Sequence, residues 1–306
     1  MRGLIVEFSK ANSIGSKSAG EIAAYLEAIG DMDAAARFLK LGAQSQAISV
    51  RFFTNDHWAY SGAQFGFIPT GSPGNSTEIA IDPATSVSAD ETLKGKAVKI
   101  TLDRFYVHNY PGTGRHQIVC EFAGKNQAGP KSEELRFALK TTATDRSSAP
   151  LLSMPIFVDV NVGDDGLSFE GRTINVKSEG METLVEALDS SAFKNGLALL
   201  TTSQPALTPF VQLAKGAVKA IEKQGNNKEV FSFSLGLDFS KTVTSAKLRL
   251  GSYVVVQTNE TQWDWNNFAY NSQSGAVVAK ADPTMPVELN YLIFGVTESG
   301  SVKSTG

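Results

Sequence analysis

Phe231, Phe233, Leu235, Leu237 and Phe239 are five apolar residues at a strict period of two, and this alternation constrains the fold more than any other stretch. Successive side chains of an extended strand point to opposite faces, so one face of this segment has to be covered by other structure. The pattern recurs along the chain. Val98, Ile100 and Leu102 alternate, and Phe105 and Val107 continue on the opposite parity. The phase break at Asp103 and Arg104 predicts a β-bulge, because one extra residue returns the apolar side to the core. Ile118, Cys120 and Phe122 repeat the period, and they are expected to pair with that strand as a hairpin through residues 109–114 (NYPGTG). Further strands are expected over 3–8, 47–54, 60–68, 134–141, 156–162, 167–177, 230–239, 247–258, 264–270, 275–279 and 288–296.

Helices interrupt the strands in two places. Ser18 with Glu21 forms a capping box ahead of Ile22, Tyr25, Leu26 and Ile29, and Gly30 ends that helix. Asp31 caps a second helix, whose apolar stripe is expected to be Met32, Ala35, Ala36 and Leu39, with Gly42 as its stop. A helical insertion is expected at about 179–225. It comprises a short amphipathic set (Met181, Leu184, Val185, Leu188) and a longer helix carrying Leu207, Phe210, Val211, Ala214, Val218 and Ile221, which opens at Pro205 or Pro209 and closes at Gly225. The fold class that follows is mainly β (α+β): an antiparallel β-sandwich with a helical insertion and an N-terminal helical hairpin. The organisation is a segment 1–72, a sandwich over 93–298 and a flexible tail over 299–306. Residues 69–77 (PTGSPGNST) are turn-forming throughout and suit a boundary or long loop. The run of short strands with acidic loops resembles C2-like sandwiches in architecture alone, and fold does not fix function.

A net charge of −3 over 306 residues gives no electrostatic reason to bind nucleic acid, which takes concentrated Lys and Arg. No stretch approaches the ~18 apolar residues of a membrane-spanning helix. The N-terminal apolar run is too short for a signal peptide, so a cytoplasmic location is expected. The single cysteine, Cys120, lies on the apolar parity of its strand and is expected to be a buried, inert thiol.

Several residue groups are candidates for chemistry. Asp159, Asp164 and Asp165, with Asn161 and Glu170 nearby, supply the oxygen ligands that calcium prefers. The sixth-position glycine of an EF-hand is missing, so only a looser calcium site or a solvated turn remains. Gly166, Gly171, Arg172 and Thr173 approximate a phosphate-binding loop but lack its lysine and its strand–loop–helix setting. His108 and His116 flank residues 109–114, and strand parity places them on opposite sides of a sheet, against a shared metal. His57 falls in a loop. Trp263 and Trp265 flank Asp264 and are candidates for partner contact, the alternative being core packing. Lys215, Lys219 and Lys223 recur every four residues as a basic ridge, suited to an acidic membrane surface or to plain solvation.

No catalytic constellation is recognisable. The leading expectation is therefore a non-enzymatic interaction or assembly protein, with a protein partner or self-association, needing no cofactor. The alternatives are a peripheral membrane or calcium-dependent lipid-binding protein using the acidic turn or the lysine ridge, and a hydrolase whose site includes His57 or His116. The sequence leaves any small-molecule ligand unspecified.

Overall fold

The computed structural model describes residues 8–44, 55–71, 76–128, 131–177 and 207–299. Apart from Phe8 and Ser299, the strands expected over 3–8 and 47–54, the helix built on Met181 and the tail lie outside them. Three α-helices are described: α1 (Ala19–Ala28), α2 (Met32–Gln44) and α3 (Leu207–Glu222). The strands in chain order are β1 (Ala63–Pro69), β2 (Glu78–Ala80), β3 (Asp82–Pro83), β4 (Ala97–Val107), β5 (Arg115–Ala128), β6 (Lys131–Thr144), β7 (Ser147–Ser148) and β8 (Met154–Asn161). They continue as β9 (Leu167–Val176), β10 (Lys228–Asp238), β11 (Ala246–Lys247), β12 (Gly251–Gln257), β13 (Phe268–Asn271), β14 (Ala276–Ala279), β15 (Asp282–Pro286) and β16 (Tyr291–Glu298).

The molecule is mostly β, and its described residues form three sheets and no closed barrel. A seven-stranded sheet runs β3-β1-β12-β16-β4-β7, with β8 also paired to β4. A five-stranded sheet runs β11-β10-β9-β5-β6, and a four-stranded sheet runs β15-β14-β13-β2. The pairings are antiparallel except that of β10 with β11.

Alternation decides which residue enters which core. On β16, Leu292, Phe294 and Val296 join the main apolar cluster, while Tyr291 and Ile293 join a second cluster with Ile81, Trp265 and Val277. On β12, Tyr253 and Val255 go one way and Val254 and Val256 the other. A strand buried on both faces reads as a continuous apolar run, which is what residues 253–256 are. Phe294 carries the main cluster between the two larger sheets, with its ring centroid 5.7 Å from Phe122, 5.2 Å from Phe169 and 5.5 Å from Phe233. The Phe231 to Phe239 alternation behaves as expected, all five side chains being buried in this cluster. In the second cluster a Cβ on Gly66 would come within 2.6 Å of Ile81 Cγ2 and 2.8 Å of the Trp265 ring, so a strand residue without a side chain is needed there.

The bulge in β4 is present. Ile293 pairs with Arg104 and Phe294 with Leu102, which leaves Asp103 as the extra residue. The hairpin expected through residues 109–114 does not form. β4 pairs with β16, β7 and β8, whereas β5 pairs with β6 and β9 in the other large sheet. Residues 109–114 instead cross from one sheet to the other. Tyr110 is buried there and donates to Thr173 Oγ1 at 2.9 Å, and Gly112 and Gly114 take φ of 90° and 78°. The apolar parities of β4 and β5 therefore face each other across the core rather than lying side by side.

The helical hairpin α1–α2 has the caps the sequence specifies. The Ser18 hydroxyl accepts from Glu21 N at 3.3 Å and the Glu21 carboxylate accepts from Ser18 N at 3.0 Å. Gly30 turns the chain at φ 82°, and Asp31 accepts from Ala34 N at 3.1 Å. The stripe expected on α2 is corrected, however. Ala34, Ala35 and Phe38 are buried, with Phe38 against Trp58 at 5.5 Å, while Met32 is 61% and Leu39 50% exposed and Ala36 is exposed beside them.

Helix α3 has Pro209 in its first turn, where the missing N–H costs no helical bond. It is fastened to the five-stranded sheet by charge. Arg172 on β9 is held by Glu222 of α3 at 2.6 Å, by Glu121 of β5 at 2.7 Å and by Glu229 of β10 at 3.2 Å, and Lys215 pairs with Glu134 at 2.6 Å. The Arg172 guanidinium also lies 4.6 Å from the Phe8 ring centroid.

Candidate functional site

The turn His57–Ala59, the β4–β5 crossing, Asp145 and Arg146 after β6, and Glu288 with Asn290 before β16 meet around His108. A net of amide side chains fixes their backbones. Asn290 Oδ1 accepts from His108 N at 2.7 Å, and Asn290 Nδ2 donates to Gln257 Oε1 at 3.0 Å. Gln257 Nε2 in turn donates to the carbonyls of Trp58 and Tyr60 at 3.0 and 2.6 Å, and Asn109 Oδ1 accepts from Trp58 N at 3.2 Å. Arg37 of α2 adds a bond to Asp56 at 3.0 Å. The His57 turn, which has little secondary structure of its own, is thus held from three directions.

All three histidines of the chain are gathered here, in two environments. The His57 and His108 rings lie 5.0 Å apart at 49°, with the Tyr60 ring 5.3 Å from His57. Burial and the neighbouring His108 hold His57 down to about 4, and burial lowers His108 as well. Both rings are therefore neutral at pH 7, although the Glu288 carboxylate acts in the opposite sense on each. Among the described residues neither imidazole makes a hydrogen bond, and His57 Nδ1 is buried without a partner.

His116 is fully buried and places Nε2 2.9 Å from Asp145 Oδ1, which also accepts from Tyr110 N at 3.1 Å. A catalytic imidazole steadied by a carboxylate offers its other nitrogen to the substrate. Here that nitrogen, Nδ1, is sealed without a partner, while the Asp145 side chain is 49% exposed. The dyad is turned inside out for general-base work. It is suited to tying the β4–β5 crossing to the end of β6. His108 follows β4 and His116 lies in β5, strands of different sheets, so the parity argument that put them on opposite sides of one sheet does not apply.

The acidic residues are dispersed. Asp164 and Asp165 are exposed on the turn closed by the Gly163 and Gly166 bridge. Asp159 takes φ 56° where the β4–β8 register shifts, a left-handed conformation that Asp tolerates better than most residues at a bulge. Glu170 is buried and accepts from Phe8 N at 3.1 Å. Among the described residues no group of three or more His, Cys, Asp and Glu side chains converges on a point that would hold a metal ion. Arg172 of the near-miss phosphate loop lies in β9 and is occupied by its three glutamates.

Trp265 is buried in the second cluster. Trp263 is half-buried, stacked on Phe268 at 4.5 Å and 6°, and 5.3 Å from Trp265. Of the lysine ridge, Lys215 is engaged with Glu134, while Lys219 and Lys223 are exposed. No described helix is long and apolar enough to cross a membrane.

Two features escaped the sequence. The His57 and His108 pairing joins residues far apart in the chain with no motif between them. The exposed row Met32, Ala36 and Leu39 was assigned to the core because its spacing is as helical as that of the buried face. No protein-family model matches the chain, and neither a curated protein nor a solved structure is found to be similar to it.

Proposed function

We propose that this protein works by association rather than catalysis, and that a second copy of the chain is its partner. The observation that carries this reading is the surface of α2. Met32, Ala36 and Leu39 fall at i, i+4 and i+7, one apolar line along the helix, and all three face solvent. Contiguous exposed apolar patches, unlike singly scattered residues, mark contact surfaces. Small Ala36 stands between the two large residues and permits close approach of a second helix.

The charges favour a copy of the same helix running the other way. Asp31 and Asp33 open α2, and Arg37 and Lys40 follow. In an antiparallel pair centred on Ala36, Lys40 of one copy lies level with residue 32 of the other, between Asp31 and Asp33, and the contact is self-complementary in the two-fold manner most oligomers use. A patch of this size supports a contact that dissociates on dilution. Light scattering over a concentration series tests it. The wild type is expected to shift from monomer towards dimer as concentration rises, and the double substitution Met32→Glu, Leu39→Glu to remain monomeric with an unchanged circular-dichroism spectrum. A wild type that stays monomeric at millimolar concentration contradicts the reading.

The same proposal extends to the architecture. The packing of Phe294 on Phe122, Phe169 and Phe233 supports a β-sandwich of the two larger sheets, while a C2-like variant rests only on the acidic turn at Asp164 and Asp165. Trp263, stacked on Phe268, is a secondary contact candidate. Membrane-surface and calcium-dependent readings draw on Lys219, Lys223 and that same turn.

A further inference from the structure

We propose that His57 and His108 form a two-imidazole site for a late first-row divalent transition metal, copper(II) before zinc(II). The ring spacing leaves room for one ion between a nitrogen of each imidazole. A metal bound about 2.0–2.1 Å from a ring nitrogen lies roughly 3.2 Å from the ring centre. With the two centres 5.0 Å apart, the two directions meet at about 100°, between the angles of square-planar and tetrahedral coordination.

The surroundings prepare the rings for this role. Neither imidazole is committed to a hydrogen bond among the described residues, although half-buried ring nitrogens ordinarily find one. Both backbones are fixed before any ion arrives, His57 through the carbonyls bound by Gln257 and His108 through Asn290 and through Arg146 N, which donates to its carbonyl at 3.0 Å. Such preorganisation holds ligands in place without an ordering cost at the moment of binding. The exposed Glu288 carboxylate lies near both rings and favours a positive charge there.

The two imidazole donors set the metal class, and among the described residues no group of three or more His, Cys, Asp and Glu side chains forms a metal site. Two imidazoles with water completing the shell bind in the order that peaks at copper(II), and they offer calcium or magnesium nothing of the oxygen-rich shell those ions need.

Calorimetric titration of untagged, chelator-treated protein with copper(II), nickel(II) and zinc(II) tests the site. One copper(II) per chain is expected, bound more tightly than zinc(II), with His57→Gln and His108→Gln each weakening it at least tenfold. Electron paramagnetic resonance of the copper(II)-loaded wild type gives a reading independent of any variant, and coupling to two imidazole nitrogens is expected. Oxygen-only coordination, no binding, or affinity untouched by both substitutions overturns the proposal.

Discussion

Cys120 shows how far one residue's neighbours determine its chemistry. It is buried in the main cluster, and desolvation pushes its thiol up to about 12 from an ordinary 9.0. Burial also raises the phenols of Tyr25, Tyr110, Tyr253 and Tyr291 above their ordinary 10.0. In the unfolded chain these groups release their protons from pH 9–10 upward, while the folded protein still holds them. The native state then binds more protons than the unfolded one, and stability falls as pH rises. The urea midpoint is expected to be lower at pH 10.5 than at pH 8; an equal or higher midpoint at pH 10.5 contradicts this account of the buried groups. Cys120 was legible in the sequence because strand parity alone fixed its side. His57 was not, since its position depends on Gln257, Asn109 and Arg37, which reach it from three distant stretches of chain.

At the scale of the element, Arg172 decides how α3 is attached to its sheet. Three carboxylates surround the guanidinium, and Glu121 and Glu229 are almost wholly buried. Removing the cation leaves buried Glu229 without its ion-pair partner and Glu121 with Arg136 alone, and breaking a buried pair costs about 3–5 kcal/mol. Arg172→Ala is accordingly expected to lower unfolding free energy by that amount in urea denaturation; a loss below about 1 kcal/mol would mean the network is effectively solvated. Alternation located β9 and β10 but said nothing of this, because a charged residue facing away from one core reads as a solvent-facing residue until a helix covers it. The same gap explains β4 and β5. Their periodicity shows that each has a core face, and only the pairing of β4 with β16 and of β5 with β9 shows that the two strands belong to different sheets. On α2, Ala34, Ala35 and Ala36 make two faces nearly equal in apolarity. Phe38 breaks the tie by packing on Trp58, a contact with no trace in local spacing.

Across the whole molecule, a seven-stranded sheet with apolar residues on both faces has two cores to fill, one reached by Phe294 and one by Trp265. Among the described residues five large apolar side chains stay exposed (Met32, Leu39, Leu152, Val243 and Met285), and two of them, Met32 and Leu39, share one helix. The contact proposed on α2 uses the two of these that lie on one element. It is tested most directly by Ala36→Cys in the chain whose single native thiol is buried. Two helices crossing at residue 36 bring the new thiols within disulfide reach. Mild oxidation is predicted to give a covalent dimer on non-reducing electrophoresis, while Lys219→Cys on the exposed side of α3 stays monomeric. Equal cross-linking of both variants, or none of Ala36→Cys, would contradict a two-fold contact through α2.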